Sequence, residues 1–272
     1  MSKAIRVAYL MLCHDCSERI INKIKMLLAY DDNCCVFIHL DKKMNNNIFD
    51  IIFSNFKNDT RCFFIRKNKR ISCHWGTWSI VRATLCLIEI AYHSSEFFSH
   101  FFLVSEFCIP VKSNKELKEF FEKNLALSYI DIYDKSWIQA GIRDDRYLFR
   151  HILDKRKMPK LHRYMYRVQK KIGLRRKVPS GLKIKFGSQW WCLTYEAIHR
   201  IMTDKNIKKK EKFFKYVWIP DESFFSTIVS SYDDLYTNST LTYSEFDSAT
   251  GKCKSINEII IPEKYFFARK DY

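Results

Sequence analysis

The sequence predicts an α/β fold in a single domain, with a mostly parallel central sheet flanked by helices. Apolar runs of strand length alternate with stretches in which apolar residues recur at helical spacing, which is the pattern of parallel α/β sheets. The sequence contains no internal repeat and no linker rich in Pro, Gly or Ser. Its 272 residues, 47% of them hydrophobic, are enough for one large core. We therefore expect one domain that spans residues 1–272.

Five strands are predicted in the first half of the chain, at residues 5–12, 35–40, 62–65, 98–104 and 129–132. Three helices are predicted in the same part of the chain. The first begins at Ser17, which can cap it, and continues through apolar residues at helical spacing. Two more are predicted at 79–92 and 114–124. This order predicts an open sheet whose carboxyl edge binds ligands.

Strand patterns are rarer in the second half of the chain. Residues 134–185 are strongly basic and carry little strand signal. A strand is predicted at 186–194 and a helix at 195–202. A lysine-rich stretch follows at 205–212, and a further helix is predicted at 222–230.

The chain carries a large positive charge. Lys and Arg number 47 against 30 for Asp and Glu, so the formal net charge is +17, and an acidic partner is expected. Glycine is scarce, at 6 residues, and neither a G-x-G-x-x-G pattern nor a P-loop occurs. No run approaches the roughly 20 apolar residues of a membrane span, and the first apolar run lacks a cleavage site. The expected location is cytoplasmic, free or peripheral on the inner face of the membrane.

Ten cysteines occur without a secretion signal, which predicts reduced thiols. Cys13 and Cys16 form a C-x-x-C pattern, but the sequence offers no second Cys or His pair at the spacing of a zinc site. A structural role of this pair is therefore preferred to a metal site.

Polar side chains follow the predicted strands where an active site on a sheet edge requires them. His14 ends the first strand, and His39 and Asp41 lie at the end of the second. Further along, Asp221 and Glu222 follow a proline at a helix start. The strand-end residues bind a nucleotide on one interpretation, and are capping or solvated groups on the other. For Asp221 and Glu222 two interpretations also remain: one of them is a general base, or the pair only caps the helix.

Two cations, Arg269 and Lys270, follow an aromatic run near the end of the sequence. They are either a solvated tail or the charge that holds a diphosphate. No D-x-D pair suited to a divalent metal is present: Asp131 and Asp134 have the wrong spacing. A metal-independent site is therefore the more natural expectation.

Seven sequence blocks occur in an order that is hard to obtain by chance, at residues 8–14, 37–43, 74–84, 103–112, 185–194, 219–225 and 267–270. Typical blocks are His74-Trp75-Gly76-Thr77-Trp78 and Pro220-Asp221-Glu222-Ser223. Taken together they resemble the core-2/I-branching enzyme family, glycosyltransferase family 14, which also contains the peptide O-xylosyltransferases. This chain resembles a bacterial-type member without anchor or stalk.

The resemblance implies a GT-A-like fold and an inverting transfer from a UDP-sugar to a glycan hydroxyl, without a divalent metal or other cofactor. Residues 1–135 would form the nucleotide-binding half, and residues 136–272 the acceptor-binding and catalytic half. By position, Glu222 resembles the catalytic base. The donor-binding residues it implies are His14, His39, Asp41, Trp75, Lys270 with Arg269 beside it and, less securely, Lys254.

The same resemblance leaves the sugars open. Gln189 stands where the xylosyltransferases have an acidic residue, so N-acetylglucosamine is the first choice of donor sugar and xylose the second. The remaining pocket residues it suggests are Trp190, Asp221, Tyr243, Glu245 and Phe246, of which the last three line the acceptor or belong to the core.

Residues 155–177 have the pattern of a basic amphipathic helix. Leu161, Met165, Val168 and Ile172 share one face, and Arg163, Arg167, Lys170 and Lys171 lie largely elsewhere. Such a helix lies on anionic lipid, near a lipid-linked or lipopolysaccharide acceptor, or packs on the domain with a solvated basic face. Two other functions stay open: a basic nucleic-acid-binding protein, for which no motif is visible, and an inactive glycan-binding relative. No nucleic-acid partner is expected.

Overall fold

The computed structural model describes residues 5–138, 143–232, 234–247 and 250–272. Their strands are β1 (Val7–Cys13), β2 (Cys35–Leu40), β3 (Cys62–Phe64), β4 (His100–Ser105), β5 (Ile109–Pro110), β6 (Ser128–Tyr129), β7 (Cys192–Thr194), β8 (Tyr236–Thr237), β9 (Thr242–Ser244) and β10 (Phe267–Arg269). Their α-helices are α1 (Ser17–Tyr30), α2 (Asn46–Phe56), α3 (Trp78–Tyr92), α4 (Asn114–Lys123), α5 (Asp145–Leu148), α6 (Pro159–Lys171), α7 (Tyr195–Thr203), α8 (Ile207–Phe214) and α9 (Phe224–Val229).

The central sheet has seven strands in the order β3-β2-β1-β4-β7-β6-β8. The pairs β3-β2, β2-β1, β1-β4 and β6-β8 are parallel, and β7 is antiparallel to both β4 and β6. All six residues of β2 and of β4 are buried, as expected for strands covered on both faces. The predicted α/β fold with a mostly parallel sheet and flanking helices is confirmed.

A second sheet of three strands, in the order β5-β10-β9, brings the last described strand back to the main sheet. The ring of Phe267 in β10 lies 4.7 Å from that of Phe102 in β4 and 5.9 Å from that of Tyr9 in β1. One buried apolar cluster extends from Ile5 to Phe267. A common core therefore fixes residues 269 and 270 relative to the end of β1.

Most predicted elements of the first half match the structure closely, and the second half differs more. The strand predicted at 186–194 is wrong for residues 186–191: only Cys192–Thr194 belong to the sheet, and Phe186 forms an isolated bridge with Tyr133. The helix predicted at 222–230 is divided into a 3-10 turn, Pro220–Glu222, and α9. Ser223 interrupts it with a non-helical backbone, at φ −146°.

Three helices were not predicted: α2, α8 and the short α5. Helix α2 begins in the polar run Asn45-Asn46-Asn47, which reads as a loop, yet the Asn45 side chain caps it by accepting a hydrogen bond from the Asn47 amide. Helix α8 lies in the lysine-rich stretch and buries Phe213 and Phe214. Within the described ranges, no helix is both long and apolar enough to cross a bilayer.

Candidate active site

A cleft of about 1070 Å³ opens at the carboxyl ends of β1 and β2. This is the edge at which open α/β sheets bind ligands. The cleft brings together most of the residues singled out from the sequence. Those that line it are His14, His39, Asp41, Trp75, Gln189, Trp190, Asp221, Glu222, Tyr243, Phe246, Arg269 and Lys270.

His14 is held in place by a buried carboxylate. Its ring Nδ1 lies 3.0 Å from Oε1 of Glu106, and the backbone amides of His14 and Asp15 donate to the same oxygen. Glu106 follows β4, the parallel neighbour of β1, and is fully buried. The hydrogen bond to Glu106 raises the pKa of His14. The pair therefore presents a fixed donor group at the end of β1.

Asp41 and His39 organise the wall beside it. Asp41 is buried, and its Oδ1 accepts hydrogen bonds from the amides of Lys43 and Cys73. Nε2 of His39 accepts from the Ile71 amide, and burial lowers the pKa of this histidine to about 4. His39 is thus neutral at ordinary pH and fixes the loop after residue 70, while the second oxygen of Asp41 lies 3.3 Å from the Lys43 ammonium.

Trp75 lies in a tight loop against Trp218, near the turn that carries Glu222. Its ring meets the Trp218 ring edge to face at 6.2 Å, and the Arg156 guanidinium lies 4.3 Å from its centre. Gly76 has φ +70°, and a Cβ there would lie 3.1 Å from the indole nitrogen of Trp218. The Gly76 carbonyl accepts from the Ile219 amide. A glycine is required here because the backbone is left-handed and crowded.

Glu222 is paired with Arg146. A guanidinium nitrogen donates to its carboxylate at 2.8 Å; the Arg146 side chain is 8% exposed and that of Glu222 30%. Burial raises the pKa of Glu222, and Arg146 opposes the rise. The turn that presents this carboxylate follows Ile219, a β-branched residue at φ +53°. Such a conformation is unusual for isoleucine and stores local strain.

Asp221 lies beside Glu222 in a more apolar setting. Burial first, and then the charge of Glu222, raise the pKa of Asp221 to about 7. Its Oδ1 is buried and has no hydrogen-bond partner among the described residues. Burial without a partner for Oδ1 favours the protonated form of Asp221, whereas the Arg146 guanidinium favours the ionised form of Glu222.

Arg269 and Lys270 face the cleft without acidic partners in the described part of the chain. The Arg269 guanidinium lies 4.3 Å from the ring centre of Trp190, and its buried Nε has no hydrogen-bond partner there. The Lys270 ammonium lies 4.3 Å from the Phe107 ring centre and 4.6 Å from that of Tyr272. Two unpaired cations against aromatic rings are suited to an anionic group.

Lys254 and Glu245 are placed differently from the other predicted residues. Neither is among the residues that line the cleft. Instead, the Lys254 ammonium pairs with Glu245, and Glu245 accepts a second hydrogen bond from the Tyr243 hydroxyl at 2.9 Å. The ring of Tyr243 lies 4.9 Å from that of Tyr265, and Phe246 is 57% exposed. An aromatic wall therefore bounds this end of the cleft.

Gln189 and Trp190 enter the cleft just before β7. A Cβ on the nearby Gly187 would overlap the backbone carbonyl of Asp131, so the chain can pass only with glycine there. The Gly187 amide donates to the Glu222 carbonyl at 2.9 Å. Trp190 is buried, and its carbonyl accepts from the Thr240 hydroxyl. This segment therefore connects the floor of the cleft to the turn that carries Glu222.

Sequence reasoning missed Glu106 and Arg146 as members of the site. Glu106 lies in one of the quoted blocks, directly after β4, and the strand-end rule that selected His14 applies to it as well. Arg146 lies in the short helix α5, and no local sequence pattern distinguishes it from its neighbours. Among the described residues, no group of three or more His, Cys, Asp or Glu side chains is placed to hold a metal ion.

Comparison with known proteins identifies relatives. A family model described as "Core-2/I-Branching enzyme" matches residues 7–266. Xylosyltransferase 2 of Mus musculus is 26% identical over 239 residues, covering 84% of this chain and 25% of the relative. Xylosyltransferase 1 of Rattus norvegicus is 22% identical over 232 residues, covering 84% and 26%. The chain thus spans about a quarter of the length of the curated relatives it matches. A solved structure, mouse xyloside xylosyltransferase 1 in its apo form, aligns with TM-score 0.36 at 11% identity, covering 86% of this chain and 84% of the other.

Proposed function

The chain belongs to the Core-2/I-Branching enzyme family, and on that premise we propose that it is an inverting, metal-independent glycosyltransferase that moves a sugar from a UDP-sugar to a glycan hydroxyl. Glu222 is the general base, and Arg269 with Lys270 receives the diphosphate. His14 and Asp41, with the wall that His39 and Trp75 build, hold the nucleoside.

One observation carries this proposal: a single cleft contains a carboxylate of raised pKa and two unpaired cations. A general base works best when its pKa is close to the working pH, and burial moves Glu222 in that direction. A leaving diphosphate needs charge-assisted donors, which the two cations can supply. A protein that binds a nucleotide without catalysing a reaction would need only the two cations, not the carboxylate of raised pKa.

The proposed step is a single displacement. The acceptor hydroxyl gives its proton to Glu222 as its oxygen forms a bond to the anomeric carbon. The bond from that carbon to the diphosphate oxygen breaks on the opposite face, so the configuration inverts and UDP leaves as an anion. Arg146 keeps Glu222 ionised and oriented before the proton arrives.

Two donor sugars are proposed. The sequence favours UDP-N-acetylglucosamine, and the names of the relatives favour UDP-xylose. Gln189, Trp190 and Asp221 line the cleft and are proposed to contact the transferred sugar. Tyr243 and Phe246 are proposed to receive acceptor rings, because aromatic faces pack against the apolar faces of sugars. Glu245 positions Tyr243 through its hydroxyl.

The test is a thermal-shift titration of the protein with UDP, UDP-N-acetylglucosamine and UDP-xylose, each with EDTA and with manganese. A ligand that binds only the folded state raises the melting temperature by mass action. We expect a shift that survives EDTA and is larger for one UDP-sugar than for UDP. GDP-mannose is the control for recognition of the uracil ring, and it should give a smaller rise in melting temperature than the UDP-sugars.

Other results would replace the proposal. A shift that requires manganese would mean that a metal, not the two cations, holds the diphosphate. No shift with any nucleotide sugar, together with salt-sensitive binding of an oligonucleotide, would favour the nucleic-acid alternative. A shift without transfer to any acceptor would favour an inactive glycan-binding relative.

A further inference from the structure

Helix α6 exposes a stripe of large apolar side chains. Leu161, Val168 and Ile172 are 47%, 38% and 66% exposed, and Tyr164 is 65% exposed. At 3.6 residues per turn, the first three lie within about 40° of one another around the helix axis. A continuous apolar stripe of this kind on a surface marks an interaction site more often than an isolated exposed leucine does.

The stripe faces outward because the opposite side of α6 is fixed to the domain. His162 is buried, and its ring lies 5.6 Å from that of Trp218 and 5.1 Å from that of His151. The Tyr166 hydroxyl donates to Asp145, and Gln169 donates to the Arg150 carbonyl. Helix α6 therefore packs on the domain, as one of the two sequence interpretations predicts. Its stripe of Leu161, Val168 and Ile172 nevertheless remains in solvent.

Cations flank the stripe, and acidic side chains are absent from this part of the sequence. From residue 155 to residue 195 there are 13 Lys and Arg and no Asp or Glu. Lys160, Arg167 and Lys171 are exposed, lie within about 40° of one another about a quarter turn from the apolar stripe, and form no ion pair with the described residues. A surface with apolar residues beside unpaired cations is complementary to a lipid bilayer with anionic headgroups.

The same segment reaches the cleft. Arg156, three residues before α6, lines the cleft and lies over the ring of Trp75. Lys155 lies 4.6 Å from the ring centre of Trp218, which the Arg146 guanidinium also contacts. A surface bound to α6 would therefore lie beside the cleft.

We propose that α6 docks the protein on a membrane that contains anionic lipids. Leu161, Val168 and Ile172 enter the boundary of the acyl chains, while Lys160, Arg167 and Lys171 contact the headgroups. A nucleic acid would use the cations but would leave the apolar stripe in water, and a second copy of this basic chain would be repelled by its charge. The docking does not depend on the proposed reaction, although it would place a lipid-linked acceptor beside the cleft.

The test is flotation of the protein with vesicles of phosphatidylcholine containing 30% phosphatidylglycerol, and with vesicles of pure phosphatidylcholine. We expect binding to the first and little to the second. Since a cation near an anionic surface contributes about 1 kcal/mol, the triple variant Lys160→Gln, Arg167→Gln, Lys171→Gln should weaken binding about 100-fold. The double variant Val168→Ser, Ile172→Ser should weaken it at least tenfold.

The matched control is the triple variant Lys205→Gln, Lys209→Gln, Lys212→Gln, which removes the same charge from exposed lysines at and beside α8. It should bind vesicles within about threefold of the unmodified protein. Three results would overturn the proposal. The two triple variants could lose vesicle affinity equally, or the protein could bind neutral vesicles as strongly as anionic ones. The third is binding of an oligonucleotide without binding of vesicles. The response of each variant to UDP in the thermal-shift titration reports folding and donor binding separately, so the docking and the proposed reaction can fail independently.

Discussion

The guanidinium of Arg146 donates a 2.8 Å hydrogen bond to the carboxylate of Glu222 and also lies over the Trp218 ring. Burial and this pairing act on Glu222 in opposite directions: burial raises its pKa, and the positive charge of Arg146 lowers it. The balance sets the pH at which the proposed base is ionised. Because Trp218 also packs against Trp75 and the loop at Gly76, the same arginine connects Glu222 to the part of the cleft that Trp75 lines.

Replacing Arg146 should move the pH dependence of transfer. In Arg146→Gln the charge that lowers the pKa of Glu222 is lost, so this pKa rises. A base acts only when ionised, and the acidic limb of the kcat profile should therefore move to higher pH, with activity recovered at alkaline pH. Arg146→Lys is the control, since it keeps the charge. A loss of kcat that is equal at every pH would assign Arg146 a structural role only.

Glu222→Gln should abolish transfer without abolishing donor binding. The amide cannot accept the hydroxyl proton, so we expect kcat to fall at least 100-fold, as is typical when a general base is removed. The UDP-induced thermal shift should stay within about 1 °C of the unmodified protein. Near-normal turnover would mean that another group accepts the proton.

Lys270→Met should weaken UDP binding about 10- to 100-fold, because a hydrogen bond from a charged donor is lost. The dissociation constant should also depend less on salt. Lys115→Met on α4 removes the same charge from a lysine that is 87% exposed and outside the cleft, and should leave the affinity unchanged. An equal loss of UDP affinity in both variants would mean that the overall positive charge of the protein attracts UDP, rather than a direct contact with Lys270.

Asp221→Asn should stabilise the protein at pH 8 more than at pH 5. The pKa of Asp221 is raised by burial to about 7, whereas an unfolded aspartate titrates near about 3.9. The folded state therefore binds the proton more tightly, and the stability this provides is complete below pH ~4 and is lost as pH rises through about 7. The melting temperatures of both proteins at the two pH values decide this. Asp32→Asn, at a side chain 95% exposed, should show no such difference.

Gly187→Ala should be among the most destabilising single changes in the chain. The added methyl group would overlap the Asp131 carbonyl, so the strand end and the segment before β7 must separate. We expect a loss of more than about 3 kcal/mol in the free energy of unfolding, measured by urea denaturation. Ser180→Ala, at an exposed position in the same region, should change it by less than about 0.5 kcal/mol. A small effect at position 187 would show that this close approach can relax.

The sheet could be predicted because its signals are local. Buried parallel strands such as β2 read as continuous apolar runs, and ligand residues follow them directly, as His14 and Asp41 do. The strand predicted at 186–194 shows the limit of this reasoning. Trp190 lines the cleft, Trp191 packs against Phe225, and Phe186 forms only an isolated bridge. Composition alone does not separate this kind of burial from burial in a strand ladder.

Contacts between residues that are far apart in the sequence could not be predicted. Glu106 is 92 residues from His14, and Arg146 is 76 residues from Glu222. Nothing near Arg146 in the sequence indicates that a strained turn elsewhere will bring a carboxylate to it. The separation of Lys254 from the cleft has a similar origin, since its nearest acidic group, Glu245, lies nine residues away across an irregular segment.

Strand β7 runs opposite to β4, its neighbour in the sheet. A reversed strand delivers to the ligand-binding edge the residues that precede it, here Gln189 and Trp190, rather than those that follow. The segment between β6 and β7 therefore ends at the same edge of the sheet that His14 and Asp41 reach from β1 and β2. Because this segment also carries Arg146, the chain between two neighbouring strands supplies both a wall of the cleft and the partner of Glu222.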